Sequence, residues 1–106
     1  MAVFFETSVF TRRVTELMPD DKYAELQRVL VDNPNAGDLI PGSGGLRKIR
    51  WAAEGRGKRG GLRVIYYYLV SRDQFYMLLI YGKNEQDDLS PEQLRMLKRA
   101  VEAIGR

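Results

Sequence analysis

The sequence of 106 residues contains no cysteine and no histidine. Without cysteine there is no thiolate nucleophile, disulfide or zinc thiolate site, and without histidine the commonest general base and metal ligand is missing. Any catalysis must therefore use Lys, Arg, Tyr, Asp, Glu, Ser or Thr side chains. We expect neither a cofactor nor a metal ion.

Long apolar runs are also lacking. No stretch approaches the roughly 20 apolar residues that a membrane span needs, and the opening MAVFFETSVF has neither a basic start nor a long hydrophobic region. This predicts a cytoplasmic protein that does not contact a membrane. The length and a hydrophobic content of 44% predict one globular domain over residues 1–106.

Charge is distributed unevenly along the chain. The net charge is only +3, but residues 46–63, LRKIRWAAEGRGKRGGLR, carry +6 because seven Lys and Arg stand against Glu54 alone, which leaves −3 on the remainder. A basic segment of this kind is expected where a polyanion binds, although a solvated charged loop would have the same composition.

Hydrophobic periodicity predicts an α+β fold in the order strand, helix, helix, strand, strand, strand, helix. The expected elements are a strand over residues 3–5, a helix capped by Thr7 or Ser8, a helix from about 19 to 30, strands over 46–53, 62–70 and 75–81, and a helix capped by Ser90. We expect a surface loop over residues 37–45 and an antiparallel meander from the last three strands.

Four cations fall on the predicted meander. Strand alternation places Lys48 and Arg50 on one face, roughly 6.5 to 7 Å apart, which is comparable with the spacing of phosphates along a nucleic-acid strand. Arg63 begins the next strand and Lys83 follows the last. If the ligand is RNA, the arginines would stabilise charge on a phosphorane, while Lys48 or Lys83 would act as base or acid for 2′-hydroxyl attack. The alternative is that these cations only solvate an exposed sheet face.

An acidic run separates Lys83 from the last predicted helix. It comprises Glu85, Asp87 and Asp88. We interpret it as negative charge placed before a helix N-terminus rather than as a metal site, because no histidine accompanies it and a lysine adjoins it.

Four segments within residues 37–90 occur in a specific combination. They are the GLRKIR strand, the following loop rich in Gly, Lys and Arg, the R-x-I-Y-Y strand and the IYGKNE strand end. Together they closely resemble the HigB branch of the RelE-like bacterial toxins. The resemblance implies a small RNase fold of sheet and helices, and ribosome-dependent cleavage of mRNA in the A site of the 30S subunit. It also implies a type II toxin–antitoxin module whose antitoxin is HigA-like, with a helix-turn-helix domain.

The resemblance assigns catalytic roles position by position, to Lys48 and Arg50 on the active strand, Arg63 on the next strand and Lys83 of the G-K pair. The chain departs from the RelE pattern at two places. Asn84 stands where an arginine follows the G-K pair, and the residues at 89–90 are not the expected tyrosine. We expect compensation for the missing groups from Tyr81 or from the loop residues Arg56, Lys58 and Arg59. We expect further contacts with RNA or the ribosome from these four residues and from Arg47 and Asn84.

Two other functions are compatible with the sequence. A ParE-type toxin shares the fold but acts by binding DNA gyrase, and it has no use for aligned cations that handle phosphate. A non-catalytic module that binds RNA or the ribosome would need only the basic segment.

Overall fold

The computed structural model describes residues 1–52 and 61–105 of the chain. Its elements in chain order are β1 (Val3–Glu6), α1 (Ser8–Leu17), α2 (Asp20–Asp32), β2 (Asp38–Leu39), β3 (Arg47–Trp51), β4 (Leu62–Leu69), β5 (Gln74–Gly82) and α3 (Pro91–Ile104). A short 3-10 turn, Val70–Arg72, joins β4 to β5. The α+β class predicted from the sequence is confirmed.

The strands form one sheet in the order β1-β5-β4-β3-β2. Strands β3, β4 and β5 make the predicted antiparallel meander, whereas β1 lies parallel to β5. Stacked aromatic rings accompany the parallel pairing, since Phe4 lies opposite Phe75 with ring centroids 4.7 Å apart and Phe5 lies opposite Tyr76 at 5.0 Å. The first strand of the chain is therefore docked on the last one by side-chain stacking as well as by backbone pairing.

A short strand lies within the segment expected to be a loop. Asp38 and Leu39 form β2 and pair with Lys48 and Arg47 of β3, so the expectation of a loop throughout residues 37–45 is wrong at these two positions. Two residues are too few to show an alternating pattern. The pairing also depends on Gly37, whose φ of +80° favours glycine and where a Cβ would lie 2.5 Å from the Lys48 carbonyl oxygen.

The helices begin close to the positions that the sequence predicts. Thr7 caps α1 by accepting a hydrogen bond from the Phe10 N–H at 3.0 Å, and Ser90 and Gln93 form a reciprocal capping box at α3. Helix α2 begins one residue later than expected because Pro19 occupies its N-cap position. Within residues 1–52 and 61–105, no helix is long and apolar enough to cross a membrane.

Each face of the sheet carries its own hydrophobic core. Helices α1 and α2 cover one face, where the buried residues are Phe10, Val14, Met18, Leu26, Leu30, Ile49, Leu62, Val64, Tyr66, Phe75, Met77 and Ile80. Helix α3 covers the other face, where its Val101 packs with Leu46, Ile65, Leu78 and Tyr81. Ile49 and Val64 point to the first core, so strand alternation directs Lys48, Arg50 and Arg63 to the α3 face.

Candidate functional site

Three side chains form a row across the α3 face of the sheet, which we call the central row. Arg50 on β3 pairs with Arg63 on β4, and Arg63 pairs with Tyr81 on β5. Directly paired residues of neighbouring strands project to the same face, with Cβ atoms about 4.5–5.5 Å apart. The register therefore brings two guanidinium groups and one phenol together.

The two predicted catalytic lysines flank the central row. Lys48 precedes Arg50 by two residues on β3, a distance of roughly 6.5 to 7 Å along the strand. Lys83 follows Tyr81 by two residues, and its backbone N–H donates to the Gly61 carbonyl oxygen at 3.0 Å, which continues the pairing of β4 and β5. A cavity of about 340 Å³ is lined by Arg50, Trp51, Ala52, Gly61, Arg63 and Lys83. The four cations thus share one surface, with a lysine at each end.

The two arginines of the central row differ in their exposure. Arg63 is buried, with 6% of its surface accessible, while Arg50 is exposed. Nη1 of Arg63 donates to the Leu62 carbonyl oxygen at 3.4 Å. Like charges directly opposite each other destabilise a sheet, and burying a cation costs free energy. An anion bound between the two guanidinium groups would relieve both effects, and a phosphate matches their paired donors.

Lys48 forms an ion pair with a carboxylate from the segment before α3. Its Nζ donates to Asp88 Oδ1 at 2.7 Å. Both residues line a cavity of about 360 Å³ together with Asp38, Leu39, Ile40, Pro41, Leu89 and Leu94. The hydrogen bond from Lys48 and its charge hold the pKa of the Asp88 carboxyl below the ordinary 3.8, and the charge of Arg63 acts in the same direction. Asp88 is therefore an ionised carboxylate at neutral pH.

Tyr81 adds a protonated hydroxyl to the central row. The residue is 3% exposed, and its hydroxyl donates to the Asp87 carbonyl oxygen at 3.4 Å. Burial raises the pKa of Tyr81 above the ordinary 10.0, and the charge of Asp88 raises it further, while Arg63 opposes the shift. The phenol therefore remains a hydrogen-bond donor at neutral pH, next to the two arginines.

The remaining predicted RNA-binding residues are placed differently. Alternation along β3 directs Arg47 away from the central row, and its Nη1 donates to the carbonyl oxygens of Asn35 and Gly37 at 3.1 and 3.4 Å. The structure thus brings Arg47 to the loop before β2. Asn84 is exposed in the turn after β5, beside Lys83. Three predicted loop contacts lie outside the described residues: Arg56, Lys58 and Arg59.

Asp88 is the residue of this surface that sequence reasoning missed. The acidic run was expected only to place negative charge before α3, and Lys48 and Asp88 are separated by 40 positions. The one feature of the sequence that could have indicated a role for Asp88 was the group of carboxylates directly before the Ser90 cap. Glu85 of the same run binds Arg13, with Oε2 2.6 Å from Nη2. Among the residues that the structure describes, no three carboxylates are close enough together to hold a metal ion.

This surface has the groups that a phosphodiester requires. Two guanidinium groups can bind phosphate oxygens through paired N–H donors, and the phenol of Tyr81 supplies another donor. Such fixed donors stabilise negative charge that develops on phosphate oxygens during a displacement at phosphorus. The lysine at each end is one strand step from the arginines and can contact a flanking phosphate or a reacting oxygen.

A comparison with protein-family models matches residues 3–105 of this chain. The matching model is described as the RelE toxin of the RelE / RelB toxin–antitoxin system. The match extends from β1 to α3 and includes all of the strands that carry the cationic surface. It therefore concerns the whole sheet and its helices, and not the basic segment alone.

Proposed function

This chain belongs to the RelE family of toxins, and we propose that it cleaves messenger RNA on the ribosome. Toxins of this family are generally endoribonucleases and belong to toxin–antitoxin systems, so the family implies a cognate antitoxin as partner. Our proposal adds the HigB branch, the ribosomal A site as the place of cleavage and a metal-independent reaction.

The observation that carries this proposal is the register of the central row. Arg50 and Arg63 are directly paired, one exposed and one buried, with Lys48 and Lys83 one strand step to either side. A protein that only binds another protein gains nothing from two arginines held opposite each other, because the pairing is repulsive until an anion is bound. A catalyst of displacement at phosphorus gains donors that are already in place for the charge of the transition state.

We assign the reaction as attack of a ribose 2′-hydroxyl on the adjacent phosphate. Arg50 and Arg63 bind the non-bridging oxygens, and the single O–H of Tyr81 turns from the Asp87 carbonyl oxygen to donate to the same phosphate. The attacking 2′-oxygen loses its proton at the Lys48 end of the row, and the departing 5′-oxygen gains one at the Lys83 end. No step of this reaction requires a metal ion, since fixed cations carry the charge that a metal would neutralise.

Contacts outside the central row hold the RNA and the ribosome in this proposal. Asn84 lies beside Lys83 at one end of the surface. The sequence adds positive charge at Arg47, Arg56, Lys58 and Arg59, and such charge strengthens binding to nucleic acid without regard to sequence. The ribosome then determines which nucleotide reaches the arginines.

The proposed branch and partner follow from the motifs of the sequence. The GLRKIR, R-x-I-Y-Y and IYGKNE segments resemble the HigB branch, in which the antitoxin is commonly HigA-like and has a helix-turn-helix domain. We place the protein in the cytoplasm, where translating ribosomes are found.

Primer extension on cellular mRNA after brief expression of the chain tests this function. We expect growth arrest and discrete cuts in phase with codons, both absent from the Arg50→Gln, Arg63→Gln double variant. The matched control is Arg95→Gln, Arg99→Gln, which removes two exposed arginines from α3. Intact mRNA with stalled replication would instead support a ParE-type toxin. Intact mRNA with normal replication would support a binding module without catalysis.

Neutralisation by a co-expressed antitoxin is a second test of this function. We expect a small neighbouring reading frame to encode a protein whose co-expression restores growth and abolishes the cuts. Normal growth on expression of the chain alone would contradict the assignment as a toxin.

A further inference from the structure

The proposed reaction needs a proton acceptor for the 2′-hydroxyl, and Lys48 is not available for this role in the ion pair. Its Nζ donates to Asp88 Oδ1 at 2.7 Å. An ammonium group that donates to a carboxylate has no lone pair with which to accept a proton. The group in this pair that can accept one is the carboxylate.

Asp88 is accessible to a substrate. Its side chain is 82% exposed, whereas that of Lys48 is 19% exposed. Oδ1 is engaged with Lys48, and the residue lines the cavity of about 360 Å³ beside the central row. The carboxylate is ionised at neutral pH, as an ordinary aspartate is, and the hydrogen bond and charge of Lys48 lower the pKa of Asp88 further.

We propose that Asp88 is the general base of the cleavage reaction, held in position by the ammonium group of Lys48. This inference rests on the proposed ribonuclease function and assigns the proton acceptor that the reaction requires. Lys48 then acts by positioning Asp88 and by stabilising charge. Asp88 is the catalytic residue of the pair because it contacts the reacting hydroxyl.

The step balances with groups on this surface. Asp88 Oδ2 takes the proton of the 2′-hydroxyl, and the 2′-oxygen forms a bond to phosphorus. The bond between phosphorus and the 5′-oxygen breaks with its electron pair, and that oxygen takes a proton from the ammonium of Lys83. The products are a 2′,3′-cyclic phosphate and a 5′-hydroxyl. Exchange with water removes the proton from Asp88 and restores the one on Lys83.

The strand register supports this division between base and acid. Along the strand direction, the paired residues Arg50 and Arg63 lie between Lys48 and Lys83. The hydrogen bond from the Lys83 N–H to the Gly61 carbonyl oxygen extends the pairing of β4 and β5 to Lys83. Attack in line with the departing oxygen requires the base and the acid on opposite sides of the phosphate. A phosphate bound by the two arginines would have the Lys48–Asp88 pair on one side and Lys83 on the other.

The nearby carboxylates differ from Asp88 in their contacts. Asp38 pairs with Lys48 across β2 and β3 and lines the same cavity, but the ion pair of Lys48 is with Asp88. Asp87 contributes its backbone carbonyl oxygen to Tyr81. Glu85 binds Arg13 and the Gly82 N–H. These residues provide matched variants, since each replacement by amide removes one carboxylate from the same part of the surface.

The test is single-turnover cleavage of a defined mRNA on purified ribosomes, with the full-length protein. We expect Asp88→Asn to lower the rate constant about 10²–10⁴-fold at saturating protein, the range for loss of a general base. Asp87→Asn should cleave at the wild-type rate. Asp87→Asn should keep the wild-type thermal transition, and Asp88→Asn should lower it only slightly, through the loss of an ion pair whose carboxylate is exposed.

The Lys48→Met background separates catalysis from positioning. If Asp88 is the base, Asp88→Asn lowers the rate constant again in the Lys48→Met protein. If Asp88 only positions Lys48, the second substitution has no effect in that background, and the proposal is overturned. The proposal is also overturned if Asp88→Asn leaves the cleavage rate constant unchanged or raises it, or if Asp38→Asn lowers the rate constant and Asp88→Asn does not.

A substrate with sulfur in place of the 5′-oxygen gives an independent readout. A thiolate leaves without needing a proton, so this substrate should rescue Lys83→Met but not Asp88→Asn. Rescue of Asp88→Asn would assign Asp88 to the acid and overturn the proposal. If the wild-type protein leaves every ribosome-bound mRNA intact, the ribonuclease function itself fails, and that result is distinct from active wild type with an unimpaired Asp88→Asn variant.

Discussion

Arg50 and Arg63 lie directly opposite each other on β3 and β4, one exposed to solvent and the other buried with 6% of its surface accessible. Two like charges in this relationship destabilise the sheet. We propose that the same pair binds a phosphate between its guanidinium groups. The folded protein therefore keeps an unfavourable electrostatic contact at the point where its proposed substrate binds, and the consequence for stability is measurable.

Arg50→Gln should make the protein more stable and less active. Removing one of two opposed charges should raise the free energy of unfolding by about 0.2–1 kcal/mol. Loss of one fixed donor to the phosphate should lower the cleavage rate constant about 10²–10³-fold. Urea unfolding and ribosomal cleavage assays measure the two effects. The control is Arg95→Gln, which removes an exposed arginine from α3. A marked loss of stability in Arg50→Gln would contradict the interpretation that the two opposed charges destabilise the sheet.

Lys48 should control the titration of Asp88. The pKa of Asp88 lies below 3.8 because of the hydrogen bond and charge of Lys48, so Lys48→Met should raise it. A lowered carboxyl pKa stabilises the folded state above the ordinary pKa, and this contribution is lost as the pH falls through the lowered value. NMR titration of the Asp88 side-chain carboxyl carbon measures the shift directly.

The control for the Asp88 titration is Lys22→Met. Lys22 forms its ion pair with Glu25 on α2, with Nζ and Oε1 3.5 Å apart. This variant changes the net charge by the same amount as Lys48→Met and leaves the Lys48–Asp88 contact in place. If both variants shift the Asp88 pKa equally, the shift reflects net charge and not the ion pair.

Tyr66 should contribute to alkaline unfolding. Burial raises its pKa to about 12, and its hydroxyl donates to the carbonyl oxygens of Pro34 and Ala36 at 2.9 and 2.6 Å. A tyrosine whose folded pKa is raised stabilises the protein below the ordinary value of 10.0, and that contribution is lost as the pH rises toward 12. Tyr66→Phe should therefore lower stability by about 0.5–1.5 kcal/mol at neutral pH.

Unfolding by urea from pH 7 to 12 measures both effects in Tyr66→Phe. The difference from wild type should be constant between pH 7 and 9 and should shrink above pH 10, because the variant no longer has the hydroxyl that ionises. A difference that stays constant up to pH 12 would contradict the assigned pKa.

The two-residue strand β2 should be sensitive to replacement of Gly37. Gly37 and Gly42 both have positive φ, +80° and +69°, but a Cβ at Gly37 would lie 2.5 Å from the Lys48 carbonyl oxygen, while Gly42 has no atom within 4 Å of its Cβ position. Both alanine variants carry the backbone cost of about 1–2 kcal/mol. Gly37→Ala should be the less stable of the two, because β2 must move away from β3. Equal losses in thermal unfolding would contradict this.

The predictions of strands and helices were confirmed where a short stretch of sequence shows the pattern. They failed where the structure depends on contacts between distant segments. Alternation of Lys48 and Arg50 with Ile49, and the Ser90 cap of α3, were visible in short stretches, so the meander and the last helix were predicted. The two residues of β2 have no such pattern. Their pairing with β3 depends on the close approach at Gly37, which no short stretch shows.

The placement of the candidate site residues was predictable to the same extent. Positions on the meander located Lys48, Arg50, Arg63 and Lys83, because neighbouring antiparallel strands bring such residues to one face. The contact of Asp88 with Lys48 was not predictable, since it depends on how the segment after β5 folds back over β3. Sequence likewise did not show that Arg47 would bind backbone carbonyls on the other side of the strand.

Analysis of the RNA ends left by ribosomal cleavage tests the central claim most directly. The substrate is a defined mRNA with its A-site codon on purified ribosomes, compared with the same mRNA carrying one 2′-deoxynucleotide at the cleavage position. Attack by the 2′-hydroxyl at the Arg50–Arg63 surface predicts a 2′,3′-cyclic phosphate and a 5′-hydroxyl, formed only on ribosomes and abolished by the deoxynucleotide. Ends with a 5′-phosphate, or undiminished cleavage of the deoxy-substituted mRNA, would contradict the account.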